Sequence, residues 1–319
     1  MKSGFAIIPI LVVVLFVSVF IFVEVKNGSI KISSPSPTPI ATLTPTTPPT
    51  SSPTASPTII PTATPVVTAT PSPQVKPTLP AVSGPPGSGL STINVATQIG
   101  NFTATVLSLD LSGTRVITDT ANDSDCATGC SVLNLQTYVT KNGGFAGVNG
   151  SYFCPITYPE CSSKTNSFDF PVYNTRLGHW INQGNLFWNG RAVVYFDGGG
   201  AHYLQNANSF SGGLTAGITN YPGLVDGGNV QIDDNQSGLS DKQKAVSTKV
   251  GIGVRGANNI MIVVAPSVNM QQFAYVFKSL GATGALNLDT GGSTVLFYGG
   301  HYVFGPGRDI PNAIIFASK

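Results

Sequence analysis

The sequence contains few charged residues, and this scarcity excludes several classes of protein. Only 9% of its 319 residues are Asp, Glu, Lys or Arg, and the formal net charge is +2. Because no stripe of basic residues is present to neutralise a phosphate backbone, nucleic acid is not an expected partner. The sequence also has no Ser-x-x-Lys and no Gly-x-Ser-x-Gly segment, so the serine-nucleophile sites that these motifs mark are not expected.

Metal-binding patterns are absent from the sequence as well. The three histidines, His179, His202 and His301, lack the close helical spacing of a metal-binding pair. The segment from Asp233 to Lys244 superficially resembles a calcium loop, but Lys244 occupies the position of the bidentate glutamate. We therefore expect no metal and no cofactor.

One long apolar run lies near the N-terminus, from Phe5 to Val23. A run of this length is what a helix needs to cross about 30 Å of hydrocarbon. A cleaved signal sequence is the alternative, but the run continues directly into Glu24 without a cleavage site of small residues. We expect residues 5–23 to be an uncleaved transmembrane signal anchor, with residues 1–4 in the cytoplasm.

Residues 24–90 are rich in Pro, Thr and Ser, and Lys76 is the only charged residue between Ser33 and Leu109. Such a segment cannot bury enough apolar surface to offset its ordering entropy, and its prolines favour extended polyproline II. We expect a disordered stalk, either O-glycosylated or a plain linker, that carries one folded domain at 91–319. The protein is then a single-pass protein of the cell membrane whose folded domain lies outside the cytoplasm.

The four cysteines form two close pairs along the chain: Cys126 with Cys130, and Cys154 with Cys161. Disulfides fit an oxidising compartment outside the cytoplasm. Three connectivities are possible, and pairing within each close pair is the simplest. A four-cysteine zinc site is the rival interpretation, although spacings of three and six intervening residues are not the usual C-x2-C pairs.

Short apolar runs alternate with Gly, Asn and Asp turns in the folded domain, a pattern that predicts many strands. A weak helix is also predicted, from Val132 to Thr140. Four of the predicted strands are Phe102 to Leu109, Ala192 to Phe196, Lys249 to Val254 and Ala313 to Phe316.

A stronger helix begins after Asn269, which can cap its first turn, and ends at Gly281. The apolar runs Ile260 to Ala265 and Ala285 to Leu288 bracket this helix, so we predict a strand-helix-strand crossover with parallel strands. The predicted fold class is α+β, a strand-rich mixed sheet with a few packed helices that include this crossover. The apolar face of the helix, spaced i, i+3, i+4 and i+7, consists of Met270, Phe273, Ala274, Phe277 and Leu280.

The crossover also indicates a candidate site, because Asp289 directly follows its second strand. Ligands commonly bind at the carboxyl ends of strands in such units. Gly291 and Gly292 allow a sharp turn and a close approach of ligand to backbone, and Ser293 adds a hydroxyl group. A polar turn between two strands is the simpler interpretation of the same residues.

Five segments in order along the folded domain resemble the phosphodiester glycosidase family. This resemblance implies an enzyme that cleaves the bond between a sugar's anomeric carbon and a phosphodiester oxygen. Thr290 stands where the family usually has a third glycine, and Lys249 stands where it usually has arginine. The five segments are GFAGVNGSYF (144–153), YPGLVDGG (221–228), STKVGIGV (247–254), GATGALNLDTGGSTVLFYGG (281–300) and RDIPNAIIF (308–316).

The chemistry that the resemblance implies suits a chain with few carboxylates. Ordinary glycosidases use one carboxylic acid to protonate a poor leaving group and a second carboxylate as base or nucleophile. A phosphodiester leaves as a stable anion, so one carboxylate with cationic groups is sufficient, and Glu160 is the only glutamate in the folded domain. The candidate residues are Asp289 and Ser293 for catalysis, and Asn149, Gly150, Lys249, Gly291, Gly292 and Arg308 for substrate binding.

Each candidate residue has an expected role in this reaction. Asp289 acts as nucleophile, or as base on water, while Ser293 and the neighbouring glycine amides bind sugar or phosphate oxygens. Lys249 and Arg308 hold the phosphate and stabilise its departing charge, although Lys249 lacks the bidentate fork of arginine. Asn149 binds a sugar hydroxyl, or is only a turn residue, just as Arg308 could be a surface residue paired with its neighbour.

Two alternatives to an enzyme remain open at the level of sequence. A non-catalytic glycan-binding domain on a stalk would use exposed aromatic rings, for which Trp180, Trp188 and Tyr221 are the candidates. A structural protein at the tip of the stalk is the other. For the enzyme, the expected partners are a glycan phosphodiester substrate and, through the N-terminal helix, a membrane.

Overall fold

Antiparallel strands form most of the structure. The computed structural model describes residues 81–82, 89–186, 190–235 and 238–319, all within one unit that extends from Pro73 to Lys319. The predicted signal anchor at 5–23 and residues 24–80 of the predicted stalk lie outside the described residues. No helix among the described residues is long and apolar enough to cross a membrane.

The largest sheet has eight strands, and every neighbouring pair in it is antiparallel except β1 with β2. The sheet begins earlier than the expected domain boundary at residue 91, because β2 starts at Gly89 and pairs with β1. In spatial order the strands are β1 (Ala81–Val82), β2 (Gly89–Thr97), β3 (Gly100–Asp110), β14 (Asn259–Val268), β13 (Ser247–Val254), β15 (Gly284–Asn287), β11 (Gly223–Asp226) and β12 (Asn229–Val230).

Two five-stranded antiparallel sheets complete the strand framework. One contains β7 (His179–Ile181), β6 (Val172–Asn174), β10 (Ala216–Asn220), β8 (Ala192–Asp197) and β9 (Gly200–Leu204). The other contains β17 (His301–Phe304), β16 (Leu296–Tyr298), β5 (Ala146–Asn149), β18 (Asn312–Ser318) and β4 (Thr114–Thr120). The four strands named from the sequence are confirmed as parts of β3, β8, β13 and β18.

The three sheets share one apolar core. Alternation along each strand directs every second side chain inward, which brings apolar residues from all three sheets into contact. Burial of such side chains is the main favourable term in folding. Representative core residues, all fully buried, are Leu107, Val250 and Ile252 of the large sheet, Val148 and Ile314 of the sheet that contains β5, and Val194 and Ile218 of the third.

Three α-helices are described: α1 (Leu135–Lys141), α2 (Asp241–Lys244) and α3 (Met270–Ser279). The helix predicted from Val132 to Thr140 is α1, which begins later because Leu133 forms an isolated bridge with Ile310 and Asn134 caps the helix. Its buried side chains cover the outer face of the sheet that contains β5.

Helix α3 agrees closely with the sequence prediction. Asn269 caps its first turn by accepting from the Gln272 amide at 2.8 Å, and Gly281 follows its last turn at φ +82°. Phe273 and Phe277 are fully buried against the eight-stranded sheet, where each such side chain contributes about 1.5–3 kcal/mol. The helix therefore owes its stability to this face as well as to its cap.

The chain enters α3 from β14 and leaves it into β15. Both strands run antiparallel to β13, which lies between them in the sheet. The chain therefore passes from strand to helix to strand, but the two strands are not neighbours in the sheet. The strand β13 comes before both of these strands in the chain. Its position between them in the sheet depends on long-range pairing, which the periodicity of the sequence does not show.

The disulfides follow the simplest of the three connectivities, Cys126 with Cys130 and Cys154 with Cys161. Both bonds close short loops, and no free cysteine remains among the described residues. The rival interpretation, a zinc site of four thiolates, is therefore wrong.

The cap of α3 provides a direct test of this part of the fold. Replacing Asn269 with Ala should lower the free energy of unfolding by about 1 kcal/mol, because the Gln272 amide loses its acceptor. Asn269→Asp is the matched control, since a carboxylate oxygen can still accept this hydrogen bond. Denaturant unfolding followed by circular dichroism measures both variants, and equal losses in the two would contradict the assignment of the cap.

Candidate active site

Asp289 lies where the chain leaves the eight-stranded sheet. The residue follows Leu288 after β15, in a loop that crosses to β16 of the neighbouring sheet. It is 8% exposed and lines a cleft of about 560 Å³. Its carboxyl group is therefore buried but accessible to a ligand in the cleft.

The backbone of Asp289 is held on both sides by the end of β5. Its amide donates to the Gly150 carbonyl at 2.9 Å, and its carbonyl accepts from Asn149 Nδ2 at 2.7 Å. Asn149 Oδ1 in turn accepts from the Val295 amide at 3.0 Å. Both ends of this side-chain amide are therefore used by the loop that carries Asp289.

This geometry changes the expected role of Asn149 and Gly150. Asn149 is fully buried and neither residue lines the cleft, so direct contact with a sugar hydroxyl is not supported. A Cβ at position 150 would lie 1.9 Å from Asn312 Oδ1, which explains why glycine is required there. Both residues instead position Asp289.

The two glycines after Thr290 serve different purposes. Gly291 lines the cleft and has φ +67°, a conformation that favours glycine. Gly292 lies beneath the guanidinium of Arg308, since a Cβ at position 292 would be 2.3 Å from Nη2. The missing side chain therefore makes room for Arg308, which lines the same cleft as Asp289.

Arg308 belongs to the site rather than to the surrounding surface. Its amide donates to the Gly292 carbonyl at 3.2 Å, which ties the two loops together. Among the ion pairs of the described residues, none joins Arg308 to its neighbour Asp309. The guanidinium instead lies close enough to Asp289 to influence its ionisation.

The environment of Asp289 favours its protonated form. Burial raises the pKa of this carboxyl group from its ordinary value of 3.8 to about 7, because removal from water disfavours the charged form. The Ser293 hydroxyl, which donates to the carboxylate, and the positive charge of Arg308 both act in the opposite direction. The group can therefore gain or lose a proton near neutral pH.

Lys249 lies behind the wall of the cleft, not in the cleft where the expected contact with phosphate would require it. It is fully buried and does not line the cleft; its ammonium donates to the Gln243 carbonyl at 3.1 Å, the Ala245 carbonyl at 2.9 Å and Ser247 Oγ at 2.9 Å. These bonds use all three ammonium protons, so a direct contact with phosphate is not supported. Burial lowers the pKa of Lys249 to about 8. Because Gln243, Ala245 and Ser247 line the cleft, Lys249 positions its wall.

Thr290 fits its position for a structural reason. Its backbone is extended at φ −118°, so this position does not need glycine. Its side chain forms a hydrogen bond with the hydroxyl of Tyr152, which also accepts from Asn287 Nδ2 at 2.8 Å. Burial, together with the negative charge of Asp289, raises the pKa of Tyr152 to about 12. Tyr152 is therefore a neutral, fixed wall of the cleft beside Asp289.

The outer rim of the cleft combines a ring with charges. Tyr158 lies in the loop closed by the Cys154–Cys161 disulfide, and Lys242 projects from α2 to 4.1 Å from its ring centroid. Lys242 also forms an ion pair with Glu160 at 2.8 Å. This rim was not identified from the sequence, where Tyr158 and Glu160 had only the cysteine spacing as a signal.

Apolar side chains supply the remaining wall of the cleft, from Phe153, Pro155 and Phe170. Of the residues predicted from the sequence, the structure brings Asp289, Ser293, Gly291 and Arg308 into this cleft and places the others behind it. A buried carboxyl group that titrates near neutrality, in a cleft with a guanidinium and aromatic walls, marks this cleft as the candidate active site.

The family comparison agrees with this class of site. The model of the phosphodiester glycosidase family matches residues 142–317, more than half of the chain. The chain belongs to this family of glycosidases, and the matched range contains every residue of the cleft. No curated protein matches the chain.

Two solved structures resemble the fold. The catalytic domain of zebrafish N-acetylglucosamine-1-phosphodiester alpha-N-acetylglucosaminidase, auto-inhibited by its pro-peptide, has a TM-score of 0.54 and 13% identity, covering 75% of this chain and 87% of that one. A hypothetical protein from Synechocystis has a TM-score of 0.50 and 16% identity, covering 72% of this chain and 62% of that one. At these identities the similarity shows a shared fold.

The raised pKa of Asp289 predicts a specific dependence of stability on pH. Because the folded state holds this proton more tightly than the unfolded chain, the contribution of Asp289 to stability is greatest below about pH 4 and is lost as pH rises through about 7. Asp289→Asn removes this decline, so the variant should gain up to about 4 kcal/mol over wild type between pH 4 and pH 7. Denaturant unfolding across this range measures the difference, and a difference that is constant with pH would refute the assignment.

Proposed function

We propose that this protein is a membrane-anchored hydrolase that acts outside the cytoplasm on sugar 1-phosphodiesters of a surface glycan or exopolysaccharide. The observation that carries the reaction is the convergence of Asp289, Ser293 and Arg308 in one cleft. The anchor and the stalk rest on the sequence of residues 1–90 alone.

The reaction adds water across the bond between the anomeric carbon and the phosphodiester oxygen. That carbon–oxygen bond breaks, the phosphate monoester keeps the bonding electrons, and the sugar gains the water oxygen. Asp289 acts either as nucleophile at the anomeric carbon or as base on the water. Arg308 stabilises the charge that develops on the departing phosphate.

A single carboxyl group is enough for this chemistry. Asp289 is the one carboxyl-bearing residue among those that line the cleft. A sugar-alkoxide leaving group would need a second, acidic carboxyl group to protonate it. A phosphate monoester needs no such proton, so the composition of the cleft favours a phosphodiester over an ordinary glycoside.

N-acetylglucosamine is the first sugar to test, because the zebrafish enzyme with a similar fold is named for this sugar in this linkage. The aromatic and apolar walls formed by Tyr152, Phe153 and Phe170 offer surfaces on which a pyranose ring or an acetamido methyl group can pack.

The glycan-binding alternative gains no support from the candidate aromatic residues. Trp180 is 7% exposed and packs edge-on against Tyr173 and Phe210. The Arg191 guanidinium lies 4.3 Å from the ring centroid of Tyr221, and Trp188 lies outside the described residues.

Removal of the Asp289 carboxyl group tests the proposed reaction. Asp289→Asn should lower turnover of a chromogenic N-acetylglucosamine 1-phosphodiester by at least about 1,000-fold, because an amide can act neither as nucleophile nor as base. Asp169→Asn, at an exposed carboxylate outside the cleft, is the matched control and should retain activity. Substantial turnover by Asp289→Asn would contradict the role of this residue, and no turnover by the wild type on any sugar 1-phosphodiester would contradict the function.

The pH profile tests which protonation state is active. Since only the ionised carboxylate can attack or accept a proton, kcat/KM should rise as pH increases through about 7. Ser293→Ala removes a hydrogen bond that lowers the pKa of Asp289, so the same limb should move to higher pH. A limb that stays at the same pH in Ser293→Ala would show that this hydroxyl does not act on the reacting carboxyl group.

A further inference from the structure

Two cations from distant parts of the sequence meet at one aromatic ring on the rim of the cleft. Lys242 Nζ lies 4.1 Å from the centroid of the Tyr158 ring, and Arg308 Cζ lies 5.3 Å from the same centroid. All three residues line the cleft that contains Asp289. The ring accommodates both cations because its faces carry negative electrostatic potential.

The two cations at this end of the cleft differ in how they are paired. Glu160 neutralises Lys242 through the 2.8 Å ion pair, and the hydrogen bond from Lys242 keeps the pKa of Glu160 below its ordinary value. No ion pair among the described residues includes Arg308. Arg308 therefore faces the cleft without an ion-pair partner, whereas the charge of Lys242 is paired with an exposed carboxylate.

Glu160 is a partner that a ligand can displace. The side chains of Lys242 and Glu160 are 70% and 61% exposed, and exposed ion pairs of this kind contribute little. A lysine ammonium on its four-carbon stem can turn from a carboxylate to a phosphate without backbone movement. Glu160 itself does not line the cleft.

The backbone that carries these side chains is fixed. Lys249 donates to the Gln243 and Ala245 carbonyls, which holds the end of α2 and therefore Lys242. The Cys154–Cys161 disulfide closes the loop that carries Tyr158 and Glu160. Only the side chain of Lys242 needs to move when a ligand binds.

We propose that Lys242 is a second phosphate-binding residue, which together with Arg308 binds the substrate phosphate beside Tyr158. Glu160 competes with the phosphate for Lys242. This inference rests on the proposed function for the identity of the substrate. It assigns to Lys242 the direct phosphate contact that the sequence suggested for Lys249. It also makes the Lys242–Glu160 pair a determinant of affinity for anionic ligands.

Binding measurements on the full chain test this without requiring turnover. In an Asp289→Asn background, isothermal titration with inorganic phosphate and with N-acetylglucosamine 1-phosphate should show affinity about 5- to 30-fold weaker after Lys242→Gln, because one charged hydrogen bond is lost. Lys244→Gln, on the same helix but outside the cleft, is the matched control and should bind as the background does. Neutral N-acetylglucosamine should bind equally to all three proteins.

Glu160→Gln gives the opposite sign. Release of Lys242 from its partner should strengthen phosphate binding about 2- to 5-fold, and this gain should shrink when Lys242 is already glutamine. Equal phosphate affinity in Lys242→Gln and Lys244→Gln would overturn the proposal. So would a loss of affinity for neutral sugar as large as that for phosphate, which would indicate a structural effect.

The outcomes separate this inference from the proposed function. Phosphate binding that depends on Lys242, with no turnover of sugar 1-phosphodiesters by the wild type, would retain the phosphate site and reject the reaction. Turnover with an unchanged KM in Lys242→Gln would retain the reaction and reject the phosphate site. Because Lys242 and Glu160 are both exposed, their variants should keep the melting temperature of the parent protein. Equal melting temperatures would show that changes in affinity do not come from a change in the fold.

Discussion

Two hydrogen bonds between the end of β5 and Asp289 hold the site together. They join the segments that follow strands of two different sheets, and they hold both the amide and the carbonyl of the residue whose carboxyl group lines the cleft. A buried hydrogen bond contributes only about 1 kcal/mol net, but a buried polar group left without its partner costs about 1–3 kcal/mol. The asparagine at position 149 is therefore required by the loop even though it does not line the cleft.

The side-chain amides of other buried asparagines also join the loops around the cleft. Asn312 accepts from the Ser151 amide at 2.8 Å, and Asn220 accepts from the Tyr152 amide at 3.1 Å while donating to the Asn287 carbonyl at 2.8 Å. Neutral amides can both donate and accept, so they can link irregular loops in a buried region without adding a charge. The pKa of Asp289 is therefore set by burial, which raises it, against Ser293, Arg308 and the Thr290 backbone amide, which lower it.

Long-range packing also explains how the fold accommodates Thr290 and Lys249, the two residues that differ from the usual pattern of the family. Thr290 has an extended backbone, so its branched side chain fits and its hydroxyl reaches Tyr152. Lys249 retains a cation at its position, but the cation is directed into the backbone of the cleft wall rather than into the cleft. Both departures are thus accommodated by contacts with other residues of the protein, and a carboxyl group and a guanidinium still line the cleft.

The sequence by itself determined the features that depend on neighbouring residues. The ends and buried face of α3, the four strands that were named and the position of Asp289 after a strand all follow from local periodicity, capping and spacing. The spacing of the cysteines left three connectivities open, and the tertiary structure decided between them. Only the tertiary structure decided what lies beside Asp289. Whether Asn149 and Lys249 face a ligand or the protein depends on carbonyl groups supplied by other segments, and Lys242 meets Tyr158 only because α2 packs near a disulfide-closed loop more than 80 residues earlier in the chain.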